Sequence, residues 1–196
     1  KIIGKIMTFT VPNILTIFRL VAAPIVGGFL VFQPNTFAAI MALVIFVIAS
    51  ITDYLDGYLA RQLNQSTSLG RLLDPIADKA MVIIALCFLN YHSNNDFYKI
   101  LIGIPTIVIL FREVFVAGLR EFLGKKSSLL SVTKLSKWKT ASQMIAIGFL
   151  LSANVSGLSF LPFGSVGLVI LWISALITLL TGWEYFIKAL PEFERG

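Results

Sequence analysis

Two runs of carboxylates stand out: Asp53-Tyr-Leu-Asp56-Gly57-Tyr-Leu-Ala60-Arg61, then Gly70-Arg-Leu-Leu-Asp74-Pro-Ile-Ala-Asp78 after eight intervening residues. Positions 53, 56, 57 and 60 share one face of a helix by the i, i+3, i+4, i+7 rule. Positions 70, 74 and 78 share a face of a following helix at i+4 spacing. A short connector makes the two helices antiparallel neighbours, so Asp53, Asp56, Asp74 and Asp78 can converge. Oxygen donors without His or Cys select hard divalent ions such as Mg²⁺, Mn²⁺ or Ca²⁺. Four carboxylates suit a pair of such ions, which can clamp phosphate oxygens on both sides of a displacement. Gly57 and Gly70 withhold side chains where a ligand or a second helix comes close. Arg61 offers a fork of donors for phosphate. The competing account is a structural cluster of helix-end carboxylates paired with Arg61, Arg71 and Lys79.

The surroundings make that convergence notable. The chain has 196 residues, 57% of them hydrophobic and only 13% charged, against about 45–50% and about 25% in ordinary soluble domains. Residues 20–52 and 140–183 contain no Asp, Glu, Lys or Arg. These runs exceed the roughly 20 apolar residues that one helical crossing needs. An Asp near the centre of such a helix costs about 2.5–3.5 kcal/mol, and neighbouring like charges add to that. The composition excludes disorder, a nucleic-acid-binding tail protein and most soluble enzymes. One Cys and one His exclude an internal disulfide and leave little scope for a zinc site. Cys87 reads as a buried packing thiol, and His92 as part of a polar loop.

The expected architecture is all-α and membrane-integral, one domain over residues 1–196 with six transmembrane helices. The spans run at about 12–32, 36–61, 70–90, 98–122, 135–153 and from beyond Pro162 to about Leu190. A short N-terminal segment, residues 2–11, lies at the interface. With the N-terminus in the cytoplasm, Lys99 alone among the 16 Lys and Arg residues falls on the far side. By the positive-inside rule both termini, and the acidic cluster with them, face the cytoplasm.

Three further features carry cations or hydroxyls toward that face. Asn13, Thr16 and Arg19 lie within one arc of the first span. Arg112 and Arg120 lie two turns apart on the fourth. Lys134, Lys137 and Lys139 open the fifth. Arg19, Arg112, Arg120, Lys137 and Lys139 exceed what metal-neutralised diphosphate needs, which points to an anionic acceptor such as a phosphate monoester. Attraction to anionic lipid headgroups suffices for Lys125 and Lys126, which sit in a connector, and is a weaker account of Arg112.

The gapless pattern D-x2-D-G-x2-A-R-x8-G-x3-D-x3-D, from Asp53 to Asp78, resembles the signature of the CDP-alcohol phosphotransferase family. The resemblance implies transfer of a phosphatidyl or similar group from a CDP-linked donor to an alcohol, with release of CMP. It implies that Asp53, Asp56 and Asp74 hold two divalent ions, Mg²⁺ or Mn²⁺, and that Asp78 is the general base and also touches a metal. Asp56, Gly57, Ala60 and Arg61 are then set against the cytidine and diphosphate, and Gly70 keeps that pocket open. It also implies a homodimer in the inner membrane. The opening P-N-x-L-T-x-x-R, the F-R-E…G-L-R run at 111–120, K-x-K-T at 137–140 and Glu184-Tyr185-Phe186 resemble the branch that makes phosphatidylglycerophosphate. CDP-diacylglycerol and glycerol 3-phosphate are the substrates so implied, with Arg19, Arg112, Arg120, Lys137 and Lys139 on the acceptor phosphate. Ser136 departs from the Gly that many members carry before K-x-K-T. The same chemistry with phosphatidylglycerol or inositol phosphate as acceptor stays open. A small cation transporter, with the aspartates lining its path, is the remaining alternative outside the enzymes.

Overall fold

The computed structural model describes residues 10–32, 35–62, 67–93, 95–124, 126, 130, 134–158 and 160–193. The side chains of 32, 54, 56–62, 71, 134 and 137 lie outside that description, as does the expected interfacial segment over residues 1–9. Six long helices account for most of the rest: α1 (Val11–Phe32), α2 (Thr36–Gln62), α3 (Ser68–His92), α4 (Asp96–Leu123), α5 (Lys134–Ala153) and α6 (Phe163–Phe193). No strand occurs among the described residues.

Local chemistry sets the helix starts. Thr67 caps α3 by accepting from the Gly70 amide at 3.0 Å. Asn95 caps α4 by accepting from Phe97 and Tyr98. Such side-chain acceptors satisfy amides that a first turn leaves without partners. Gly124 ends α4 at φ 50°, where its amide returns to the carbonyls of Arg120 and Glu121. That left-handed conformation suits Gly because a Cβ would clash with the backbone.

Four helices, α1, the first part of α2, α4 and α6, are long and apolar enough to cross a membrane. The expected count of six rests on α3 and α5 as well. α3 carries Arg71, Asp74, Asp78 and Lys79 in its first half, and α5 opens with three lysines, which lowers their apolar character. All six helices contribute to one buried cluster, including Val26, Phe46, Leu86, Ile109, Ile147 and Leu171. The opposite helix faces leave Ile107, Phe111, Val114, Leu180 and many other large apolar side chains exposed. Apolar surface on that scale belongs against lipid, and the protein is integral to a membrane. Cys87 lies on such an exposed face, contrary to the expectation of a buried thiol: an apolar run does not say whether a position faces core or lipid. His92 continues α3 rather than opening a loop.

The helices alternate in direction. At one end Asn90 reaches the Lys99 carbonyl, and the Thr36 and Ser156 hydroxyls meet at 2.8 Å. At the other end α1, α3 and α5 begin while α2, α4 and α6 finish. That end receives the buried charges of the described residues, Arg19, Arg112, Glu113 and Lys139.

Candidate active site

Arg19, about two turns into α1, is the hub of the acidic cluster. It is 1% exposed, whereas the side chains of Asp53, Asp74 and Asp78 remain 32%, 48% and 37% exposed. Its Nη1 donates to Asp53 Oδ1 and to Asp78 Oδ1, the latter at 2.5 Å. Its Nη2 lies 3.7 Å from Asp74 Oδ1. The three carboxylates come from α2 and α3, as their spacing predicts. The guanidinium offsets their mutual repulsion from the buried side and leaves their other sides open. Arg19, expected beside the acceptor, is thus found among the carboxylates.

Two hydroxyls brace this arrangement. Thr16 Oγ1 donates to Asp74 Oδ1 at 2.6 Å. Thr67 Oγ1 donates to Asn13 Oδ1 at 2.7 Å, tying the start of α3 to the start of α1. Gly70 makes that contact sterically feasible: a Cβ there would lie 2.8 Å from Asn13 Oδ1. Asn13 and Thr16 therefore reach the cluster from the arc expected of them. Asp56, Gly57, Ala60, Arg61 and Lys137 lie on helical backbone, but their side-chain surroundings fall outside the described residues.

As the side chains stand, no three acidic, His or Cys groups among the described residues form a ready-made ion site. The donor chemistry nevertheless fits a hard divalent ion. Asp53, Asp74 and Asp78 offer partly exposed carboxylate oxygens only, gathered around a position that already stabilises positive charge.

A cavity of about 290 Å³ opens beside Asp74 and Asp78. α3 adds Lys79 to the lining beside the two aspartates, and α4 and α5 contribute Arg112, Glu113, Arg120 and Lys139. Arg112 and Lys139 are buried, and Arg120 is exposed at the rim. Glu113 sits between the two buried cations. Its Oε1 accepts from Arg112 Nη1 at 3.0 Å and from Lys139 Nζ. Arg112 Nη2 donates to Thr181 Oγ1 at 3.2 Å, and its guanidinium lies 5.4 Å from the centre of the Tyr185 ring. The Tyr185 and Ser136 hydroxyls lie 3.1 Å apart. Ser136, which stands where the resemblance leads one to expect Gly, thus joins α5 to α6 beside the cavity.

Glu113, Tyr185 and Ser136 were not among the residues expected to build the site. For Glu113 the signal was a carboxylate inside an apolar helix, beside an arginine. Adjacent helix positions point about 100° apart, so spacing did not reveal that the two side chains meet. A larger apolar groove of about 460 Å³ lies on the lipid side of Arg112, between Phe115 of α4 and Trp183 and Phe186 of α6.

Residues 9–180 match the CDP-alcohol phosphatidyltransferase family. Several curated relatives bear the name CDP-diacylglycerol–glycerol-3-phosphate 3-phosphatidyltransferase. The chain is 44% identical to one from Cereibacter sphaeroides, over 94% of this chain and 97% of the relative. It is 42% identical to one from Rickettsia bellii, over 93% and 96%. It is 36% identical to one from Haemophilus influenzae, over 91% and 92%.

Proposed function

The chain belongs to the CDP-alcohol phosphatidyltransferase family, and on that premise we propose that it transfers the phosphatidyl group of CDP-diacylglycerol to glycerol 3-phosphate, giving phosphatidylglycerophosphate and CMP. The names of its relatives support both substrates. The observation that carries the reading is a cavity lined by Asp74 and Asp78 of α3, with Lys79 beside them, and by Arg112, Arg120 and Lys139 of α4 and α5. A small phosphate monoester matches that lining, its phosphate on the cations and its hydroxyl toward the carboxylates. The cavity volume of about 290 Å³ lies just below the roughly 300–1,000 Å³ typical of ligand pockets, which favours a small acceptor.

Lys139, Arg112 and Arg120, with Lys137, hold the acceptor phosphate and so orient the hydroxyl. Asp78 takes the hydroxyl proton as that oxygen attacks the phosphatidyl phosphorus. A new P–O bond forms, the P–O bond to CMP breaks, and CMP leaves with the electron pair. Asp56, Gly57, Ala60, Arg61 and Gly70 line the cytidine and diphosphate. Asp53, Asp56, Asp74 and Asp78 hold two divalent ions, Mg²⁺ or Mn²⁺, which when bound supply electrostatic stabilisation of the diphosphate charge. Arg19 aligns the carboxylates from behind, and Thr16 fixes the rotamer of Asp74.

The remaining expectations belong to the same proposal. The chain forms a single domain of six spans in the cytoplasmic membrane, with the site and both termini facing the cytoplasm. Two copies pair as a homodimer. The charge asymmetry supports the orientation.

The test is CMP release by the purified protein in detergent, with CDP-diacylglycerol, Mg²⁺ or Mn²⁺, and one acceptor at a time. Release with glycerol 3-phosphate and not with phosphatidylglycerol, inositol phosphate or serine is expected. Release with another acceptor alone would overturn the choice of acceptor. Absence of release with every acceptor, from folded protein, would overturn the enzymatic assignment.

A further inference from the structure

Glu113 is a buried carboxylate in a membrane helix, and the transfer chemistry above makes no use of it. We propose that Glu113 is a positioning residue for the acceptor anion, holding Arg112 and Lys139 side by side so that both present donors to the cavity. The inference rests on the acceptor reading given above.

The geometry carries it. Arg112 and Lys139 come from different helices, and both are buried. Two buried cations facing one cavity repel each other in a medium that screens poorly. Glu113 Oε1 accepts from both at once, from Arg112 Nη1 at 3.0 Å and from Lys139 Nζ. One negative charge thus holds two positive ones, and the trio keeps a net charge of +1 beside the cavity. The trio is locked from the opposite side as well. Thr181 accepts from Arg112 Nη2, and Gln143 Nε2 donates to Thr178 Oγ1 along the same α5–α6 seam.

The donors are not used up by these contacts. Arg112 lines the cavity, and the Lys139 ammonium has three protons to give, of which Glu113 takes one. A phosphate in the cavity would complete both cations. Glu113 therefore sets a compromise. It is strong enough to gather the cations, yet it leaves them a surplus positive charge and free donors for an incoming anion. A carboxamide at this position would keep the shape but supply no charge to hold the pair.

The experiment uses the full-length protein in detergent and reads KM for each substrate and kcat in wild type, Glu113→Gln and Glu113→Asp. Glu113→Gln is expected to raise KM for glycerol 3-phosphate by about tenfold or more, with KM for CDP-diacylglycerol within about twofold of wild type. Glu113→Asp keeps the charge on a shorter stem, and its KM for glycerol 3-phosphate should fall between the two. An unchanged acceptor KM, or an equal rise in both KM values, would overturn the proposal. Should the Gln variant fail to purify as a folded species, the Asp variant decides on the same selectivity of KM. If the wild type turns over only with a different anionic acceptor, the acceptor assignment falls and the Glu113 test is read with that acceptor. Turnover with an uncharged acceptor alone would overturn both.

Discussion

Arg19 Nη1 donates to Asp78 Oδ1 at 2.5 Å, across 59 residues of sequence. The pair joins the buried start of α1 to the carboxylate assigned the proton transfer. It also puts a permanent cation on the protected side of Asp53, Asp74 and Asp78, where three like charges from two helices would otherwise oppose one another. The carboxylates can then be present together in a membrane-embedded bundle and still keep an open side for ligands.

Removing that cation should be felt as lost stability first. Arg19→Gln leaves the carboxylates without their shared partner. Breaking a buried ion pair by deleting one member costs about 3–5 kcal/mol, and the partial exposure of the aspartates places this case at the lower end. The melting temperature in detergent should fall clearly below that of wild type in EDTA. Added Mg²⁺ should raise it more in the variant than in wild type, because an ion can then offset the same charges. Identical melting curves would contradict the role given to Arg19.

Asp78→Asn keeps the volume and the contact with Arg19 but cannot accept the proton. The expected loss in kcat is about 10²–10⁴-fold, with little change in KM for the acceptor. Steady-state CMP release over a range of glycerol 3-phosphate concentrations measures both. A variant with near-normal kcat would assign the base elsewhere.

Gly182 lets α6 approach Arg112. A Cβ there would lie 2.9 Å from Arg112 Cγ, whereas a Cβ at Gly148 would meet nothing within 4 Å among the described residues. Gly182→Ala should displace Arg112 and raise KM for the acceptor several-fold, by about 1 kcal/mol or more of lost binding. Gly148→Ala should leave activity unchanged and stabilise the helix by up to about 1 kcal/mol. Equal effects of the two substitutions would argue against a steric role for Gly182.

Chelation should abolish turnover without unfolding the protein. EDTA is expected to bring CMP release to background, and Mg²⁺ or Mn²⁺ added in excess should restore it, while circular dichroism stays that of a helical protein. Persistent turnover in EDTA would remove the metals from the account.

The sequence disclosed the cluster of Asp53, Asp74 and Asp78 because helix period and a short connector constrain it tightly. It disclosed the helices for the same reason, with starts at Ser68 and Asp96 that differ from expectation by two residues where Thr67 and Asn95 act as caps. It did not disclose where Arg19 points. A long side chain at the right end of the bundle can serve carboxylates or an incoming phosphate, and only packing of α1 against α2 and α3 decides. The same holds for Glu113, whose partner Lys139 lies on another helix 26 positions away. Cys87 shows the converse, since lipid and core select the same side chains.

The central claim is that this carboxylate-and-cation cavity joins CDP-diacylglycerol to glycerol 3-phosphate. Its most direct test is to identify the lipid product by mass spectrometry after incubating purified wild type and Asp78→Asn with both substrates and Mg²⁺ or Mn²⁺. Phosphatidylglycerophosphate formed by wild type in equal amount to CMP, and formed about 10²–10⁴-fold more slowly by the variant, is the predicted result. CMP formed without that lipid, or that lipid formed equally by the variant, would contradict it.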